Sequence, residues 1–534
     1  MLTEDGRGPS GGSPLLGAPP SLDPRPSDAT AEERIGRLLR LIVGVASILG
    51  LAATLLLGFI HLSDRYAVQP TSGVLMALAD YARRGVLFPP LFDGQYFGGT
   101  RYMPVGTLLH AGLAALTGEY LMSGKLLSGI SSALLLVIVY RLVRHVGTDR
   151  ILALGLAATV IVGQVGILAA LSVRPEAIPV ALGLCALAVA TRPGTASTTG
   201  AALLCVLGVL TKASAIAAPV AILIWLAARD RRAAARFLLT LAVAGAAAFA
   251  LLELASDGRM GTSLLELGGA GITVTDMATA GLRVLESAAK YAPASLLLAP
   301  LAVLAIERSV ARRGLSVYQT ALMVSIIVLA LEFMDQGADY NHLLEAVALL
   351  VVVVAEGLRR AGDAVDSERT YRALVVPALA IGLLLSVGAG PGFDLALAMK
   401  HMVSDGTAMY DAHPIGVSAT SGPILSDDPY VPLSLGQRPV VLDAFMLARI
   451  AQRHPDWAGE LADRIRRGEF SRIVLRSAVG TPGANDLYTT LELGSTVYQA
   501  IENAYRLDTV VKDSGYSHLL ASSDFFVYVP IGAQ

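Results

Sequence analysis

Apolar segments of spanning or near-spanning length recur in this sequence at about 38–61, 121–140, 151–171, 177–191, 197–211, 213–228, 236–255, 291–306, 316–333, 343–358 and 373–390. A helix rises about 1.5 Å per residue, so roughly 20 apolar residues cross a hydrocarbon core of about 30 Å. A chain that repeats this pattern so often cannot hide its apolar surface in one water-facing globule, and the predicted fold is an all-α polytopic membrane domain of about eleven helices. The overall content of 54% hydrophobic and 16% charged residues agrees with that reading.

The pattern divides the chain in three. Residues 1–33 are rich in Pro, Gly and Ser and read as a disordered cytoplasmic tail. Residues 34–390 carry the apolar segments, with a large first external loop at 62–120. Residues 391–534 lack long apolar runs and alternate short β-rich and helical stretches, which predicts a small extracytoplasmic α/β domain. Within it, GPILSDD, RPVVLDAF and SRIVLRS read as strands, 445–467 and 490–506 as helices, and HLLASSDFFVYVP as a final β region.

Arginine placement orients the scheme. Arg34, Arg37 and Arg40 precede the first segment, and clusters follow at Arg141, Arg144 and Arg150, at Arg229, Arg231, Arg232 and Arg236, at Arg308, Arg312 and Arg313, and at Arg359, Arg360, Arg369 and Arg372. All can lie on the cytoplasmic side together, which puts the N-terminus inside and the C-terminal domain outside a plasma membrane. The scheme requires the short run from Met103 to Leu116 to lie at the outer interface as a helix that does not cross. Ser72 to Arg84 reads as a second interfacial helix, with Val74, Leu75 and Leu78 opposite Asp80, Arg83 and Arg84.

The near-balance of 41 basic and 43 acidic residues gives no nucleic-acid-binding surface. Cys185 and Cys205 both sit in apolar runs, so no disulfide framework or cysteine metal site is expected. No nucleotide loop is present either, since FDGQYFGGTRY lacks the ending and setting of a P-loop.

Polar chemistry collects in the external connections. Asp64 follows the first segment, and Asp93, Arg101 and Tyr102 sit further along the first loop. Arg174 and Glu176 occur in SVRPE, Lys212 in LTKAS, and Asp339, Tyr340, Asn341 and His342 in EFMDQGADYNHLLE. Plainer roles stay open: the cations can snorkel to the interface, Asp64 can cap a helix, and His342 can be a hydrogen-bonded structural histidine. Asp427, Asp428 and Asp443 fall at strand ends, where turn and cap roles compete with ligand binding.

The lone acid past the first segment, the loop with YMPVGTLLHAGLAALTG, and the segments SGKLLSGISSALLLVIVYRLVR, SVRPEAIPVALGLCALAVATR, LTKASAIAAPVAILIWL and YNHLLEAVALL together resemble the GT-C superfamily of integral-membrane glycosyltransferases. The resemblance covers about 38–390 as an arrangement. It implies transfer of a sugar from a polyprenyl-phosphate donor to the hydroxyl of a glycan or glycolipid acceptor of the cell envelope, at the outer membrane face and with inversion. It implies Asp64 as catalytic base, with Asp93 as rival. Lys212, Arg174 and Arg101 become candidates for the donor phosphate, and Glu176, Tyr102, Asp339, Tyr340, Asn341 and His342 for substrate binding. The family often carries paired acids where this chain has SDRY, so no metal ligands are assigned and a divalent cation is left open as cofactor. The competing reading is a polytopic transporter or flippase of lipid-linked sugars, against which stands the scarcity of Asp, Glu and Lys within the apolar runs.

Overall fold

The computed structural model describes residues 31–63, 70–174, 176–268, 274–312, 314–335, 337–360, 365–396, 422–511 and 524–532. Every apolar segment named above is mostly helical, but among the described residues six helices are long and apolar enough to cross a membrane: Glu33–Ile60, Tyr120–His145, Arg231–Ala255, Pro293–Ala311, Tyr340–Arg359 and Tyr371–Ala396. The pair Arg150–Val162 and Gln164–Leu171 makes a seventh if its 66° bend falls within one span. Gly163 is extended at the break, and a Cβ on Gly166 would lie 2.2 Å from the Val160 carbonyl, so the chain turns closely on itself there. By length and composition six or seven spans therefore qualify among the described residues, and the expected count of eleven is not confirmed. Ala177–Ala190, Thr195–Thr211, Ala217–Ala227 and Val317–Glu332 are apolar but short, reaching only about 16–26 Å.

Leu343–Arg360 is the central post, with Val351, Val352, Val353 and Val354 fully buried. The contrast is Arg231–Ala255, where Leu239, Leu251 and Leu254 are 65–78% exposed. A helix that turns leucines outward suits a hydrocarbon surround, and a helix apolar on every side belongs inside the bundle. The helices run between two chemically different ends. At one end Arg229 donates to the Leu315 carbonyl, Arg236 donates to Thr195 Oγ1 at 2.9 Å, and Arg359 lies against Gly147. At the other end lie Tyr120, Lys212, Glu332 and Leu343, beneath the C-terminal domain.

Two helices in the connection after Ala255 were not anticipated, Arg259–Leu267 and Val274–Tyr291. Pro104–Thr117 forms as expected, with Pro104 in its first turn and Gly118 at φ 79° closing it. Pro70–Arg83 is a helix too, but residues 72–79 are buried all round, between Pro104–Thr117, Tyr120–His145 and the short C-terminal helix Tyr430–Ser434. The interfacial reading of that segment is corrected to an internal wedge. Gly73 allows the approach: a Cβ there would sit 2.2 Å from Asp428 Oδ1 and 2.8 Å from the Tyr430 nitrogen.

The C-terminal domain is a four-stranded sheet of β1 (Ile424–Ser426), β2 (Arg472–Leu475), β3 (Tyr505–Val511) and β4 (Phe525–Pro530), in the order β1-β2-β4-β3. β1 and β2 are parallel, linked through Ala444–Arg453 and Pro455–Arg466, and the other pairings are antiparallel. RPVVLDAF is not a sheet strand. Instead Val440–Leu442 grips the first loop, with the Phe97 N–H donating to the Val440 carbonyl and the Leu442 N–H to the Phe97 carbonyl, both at 2.8 Å. Pro455 splits the expected 445–467 helix, because proline cannot continue the ladder. The expected 490–506 helix ends at Ala504, where β3 begins. Leu91, Phe97 and Leu267 enter the domain's core beside Leu461, Ile465 and Ile473, so the domain completes its core with residues of the membrane part.

Gly73→Ala is expected to destabilise the protein by about 1–3 kcal/mol, through overpacking against Asp428 and Tyr430. Thermal unfolding in detergent checks this, and a melting temperature equal to wild type contradicts the close-approach account.

Candidate functional site

The helix ends beneath the C-terminal domain enclose a cavity of about 560 Å³. Its floor is organised around one carboxylate. Thr195–Thr211 stops at Lys212, whose backbone turns extended and carries the ammonium to Glu176 Oε2 at 2.6 Å. Glu176 lies just before Ala177–Ala190, with Arg174 Nε 3.8 Å from its Oε1. Asn341 Nδ2 donates to the same Oε1 at 2.8 Å. Burial favours the neutral form of Glu176, but Lys212, Arg174 and His342 outweigh it and bring its pKa from 4.5 to about 2.

The side wall comes from the connection after Val317–Glu332. His342 Nδ1 lies 2.9 Å from Glu332 Oε2, and Arg101 Nη1 lies 3.0 Å from Asp335 Oδ2. Arg101 also lies over the Phe445 ring, 5.3 Å from its centroid, so it reaches from the first loop to the C-terminal domain. Tyr102 lines the wall beside it, its hydroxyl pushed up to about 12 by burial.

The roof belongs to the C-terminal domain. Asp427 follows β1 and Arg476 follows β2, so both stand at the carboxyl ends of neighbouring parallel strands, where α/β sheets commonly place ligand sites. Arg476 Nε meets Asp427 Oδ2 at 3.1 Å, and its Nη2 spans Glu492 Oε1 and Oε2 at 2.8 and 2.9 Å. Burial raises the Glu492 carboxyl to about 7 despite the Arg476 charge. Asp443 caps the next helix, accepting from Phe445 N at 3.0 Å and Met446 N at 3.3 Å, and also lines the cavity.

Of the residues singled out from sequence, Arg101, Tyr102, Arg174, Glu176, Lys212, Asn341 and His342 line this cavity together. Asp339 and Tyr340 do not. They line a separate pocket of about 210 Å³ with Arg283 and Lys290, where Tyr340 stacks on Tyr291 at 3.9 Å. Asp93, the rival base, also lies apart from this cavity. Its carboxylate accepts from the Gln95 and Tyr96 N–H groups and meets Arg438 Nη2 at 2.8 Å. Burial opposes its charge, but those bonds win and hold it below the usual carboxylate range. Asp64 lies outside the described residues.

Glu332, Asp335, Arg476 and Glu492 were missed. Asp335 stood in the quoted EFMDQG stretch, and Arg476 ends a readable strand, so both had a signal. Glu492 ends a π-helical turn, Leu487–Glu492, that no periodicity announces. Among the described residues no group of three His, Cys, Asp or Glu side chains is placed to hold a metal ion.

No family model matches the sequence, and no curated protein does. Among solved structures the chain is similar to ArnT from Cupriavidus metallidurans in the apo state, with a TM-score of 0.55 at 13% identity, covering 91% of this chain and 99% of that one. The likeness to the same protein bound to undecaprenyl phosphate has a TM-score of 0.53 at 13% identity, over 91% and 98% of the two chains. An oligosaccharyltransferase from Archaeoglobus fulgidus in the apo form is similar with a TM-score of 0.51 at 13% identity, over 87% of this chain and 72% of that one.

Lys212→Met is expected to leave Glu176 buried with less compensation and to cost about 3 kcal/mol. In the wild type the stability due to Glu176 is present above pH 4.5 and is lost as pH falls toward about 2, because the folded state depresses its pKa. In the variant the folded-state pKa should lie closer to 4.5, so this pH-dependent loss should be smaller and complete at higher pH. Thermal unfolding across that range checks it, and superimposable pH profiles contradict it.

Proposed function

We propose, for a chain whose fold is that of the GT-C membrane glycosyltransferases, that it transfers a sugar from a polyprenyl-phosphate donor to a hydroxyl of a cell-envelope glycan or glycolipid. The observation that carries this reading is the convergence of Arg174, Lys212 and Arg101 in one cavity at the helix ends. One of the similar structures, ArnT, is bound to undecaprenyl phosphate. By the arginine distribution, this end of the bundle is the extracytoplasmic one.

A lipid-borne donor explains why the site lies where apolar helices end. Its prenyl chain stays in hydrocarbon while its phosphate meets cations at the surface. Lys212 gives one of its three N–H donors to Glu176, and the guanidinium of Arg174 stands beside the same carboxylate. These groups are placed to meet the negative charge that builds on phosphate as the anomeric C–O bond breaks. The acceptor oxygen bonds the anomeric carbon from the other face, with inversion, and its proton passes to a carboxylate base. Asp64 is the proposed base. A transporter or flippase reading fits less well, because the charged cavity lies at the ends of Thr195–Thr211 and Val317–Glu332 and not at mid-helix.

Purified protein is expected to transfer a radiolabelled sugar from a polyprenyl monophosphate. Asp64→Asn should reduce the rate by about 10²-fold or more with expression intact. Full activity in that variant would remove Asp64 from the mechanism, and no transfer from any polyprenyl monophosphate sugar would sink the reading itself.

A further inference from the structure

The roof of the cavity carries a feature that phosphate chemistry does not use. The Asp427 side chain is 0% exposed, yet its two oxygens are treated unequally. Oδ2 accepts from the Arg476 guanidinium at 3.1 Å, the Arg476 backbone N–H at 3.2 Å and the Tyr488 hydroxyl at 2.8 Å. Oδ1 has no hydrogen-bond partner, although Asp427 lines the cavity. Leaving a buried acceptor without a donor is unfavourable, so a residue retained in this state suits a donor that arrives with a ligand. On the opposite wall Asn341 repeats the pattern: its Nδ2 is held by Glu176 and its Oδ1 has no partner. Each side of the cavity thus holds one buried acceptor without a donor, and glycosyl transfer brings two sugars together.

Charge separates the two sides. Lys212 and Arg174 stand in the floor beside Glu176, whereas in the roof Asp427 and Glu492 face Arg476, and Asp443 lies in the field of both Arg101 and Arg476. Arg476 is already engaged by Asp427 and by both oxygens of Glu492. An anionic group entering beside Asp427 and Glu492 would meet carboxylates and an Arg476 already paired with them, while a neutral polyol would meet acceptors.

Building on the transferase reading above, we infer that the roof is the acceptor subsite, that it takes a neutral, polyhydroxylated glycan unit, and that Asp427 Oδ1 accepts one of its hydroxyls. Asp427 binds in this scheme and exchanges no bond. The attacking hydroxyl gives its proton to the base, its oxygen joins the anomeric carbon, and the electron pair of the broken C–O bond leaves on the lipid phosphate.

The test is binding of the full chain in detergent to an array of neutral oligosaccharides and of uronic-acid and sulfated ones, with farnesyl phosphate binding measured on the same preparations. Asp427→Asn lets the side-chain carbonyl keep Arg476 and Tyr488 but sets an NH₂ donor where Oδ1 stood. The wild type should prefer neutral glycans, and the variant should bind them about tenfold more weakly, with farnesyl phosphate binding unchanged. Glu492→Gln should relax the exclusion of uronates. Preference for anionic glycans, no neutral binding, or an Asp427→Asn protein that binds neutral glycans as tightly as wild type overturns the inference. If Asp427→Asn does not fold, unchanged exclusion of uronates by Glu492→Gln overturns it. Neutral-glycan binding without farnesyl phosphate binding would instead count against the donor reading and leave the subsite standing.

Discussion

Glu176 is the point on which the site depends. It is a carboxylate largely removed from solvent, and one such group left alone would neutralise or unfold its surroundings. Lys212, Arg174 and Asn341 each answer it, and they come from three separate connections of the chain. Satisfying one buried charge therefore fixes the relative positions of the helix ends at 177, 211 and 343. The same contacts hold two cations at the cavity floor in defined directions. Structural demand and the proposed phosphate binding here have one physical origin.

The cavity also needs its roof, which the first loop holds in place. Phe97 exchanges two backbone hydrogen bonds with Val440 and Leu442. Arg438 binds Asp93, receives support from the Tyr81 hydroxyl at 2.8 Å, and lies over Tyr96 at 3.8 Å. Phe92 stacks on Phe97 at a centroid distance of 4.5 Å and packs tilted against Trp457 at 5.5 Å. These contacts, with Gly73 against Asp428, make the α/β domain part of the cavity wall. Asp93 thus has a role in assembly, as an anchor for the domain that carries Asp427 and Arg476.

Helices were legible because apolar length is a strong and local signal, and so were the external cations, since a lysine such as Lys212 between two apolar runs is conspicuous. What sequence could not provide was packing. Residues 72–79 look amphipathic, but nothing local reveals that a glycine lets the C-terminal domain cover their second face. The count of spans is not confirmed for a related reason: segments such as Ala217–Ala227 are apolar but short, and the bend after Val162 depends on close backbone contact. β3 escaped because it is an edge strand with Arg506, Leu507, Asp508 and Thr509 exposed, which blurs the alternation that marks a half-buried strand. The roof escaped because Asp427 and Arg476 meet only through sheet pairing between distant segments.

The central claim is that the cationic floor receives a lipid-borne phosphate. The most direct measurement is photo-crosslinking of the intact protein with a diazirine-bearing polyprenyl monophosphate, the reactive group placed beside the phosphate, followed by peptide mapping. Labelling confined to peptides containing Arg174, Lys212 and His342, and suppressed by excess unlabelled lipid phosphate, is the predicted result. Labelling at the opposite ends of the helices, around Arg229, Arg308 or Arg359, would contradict the account.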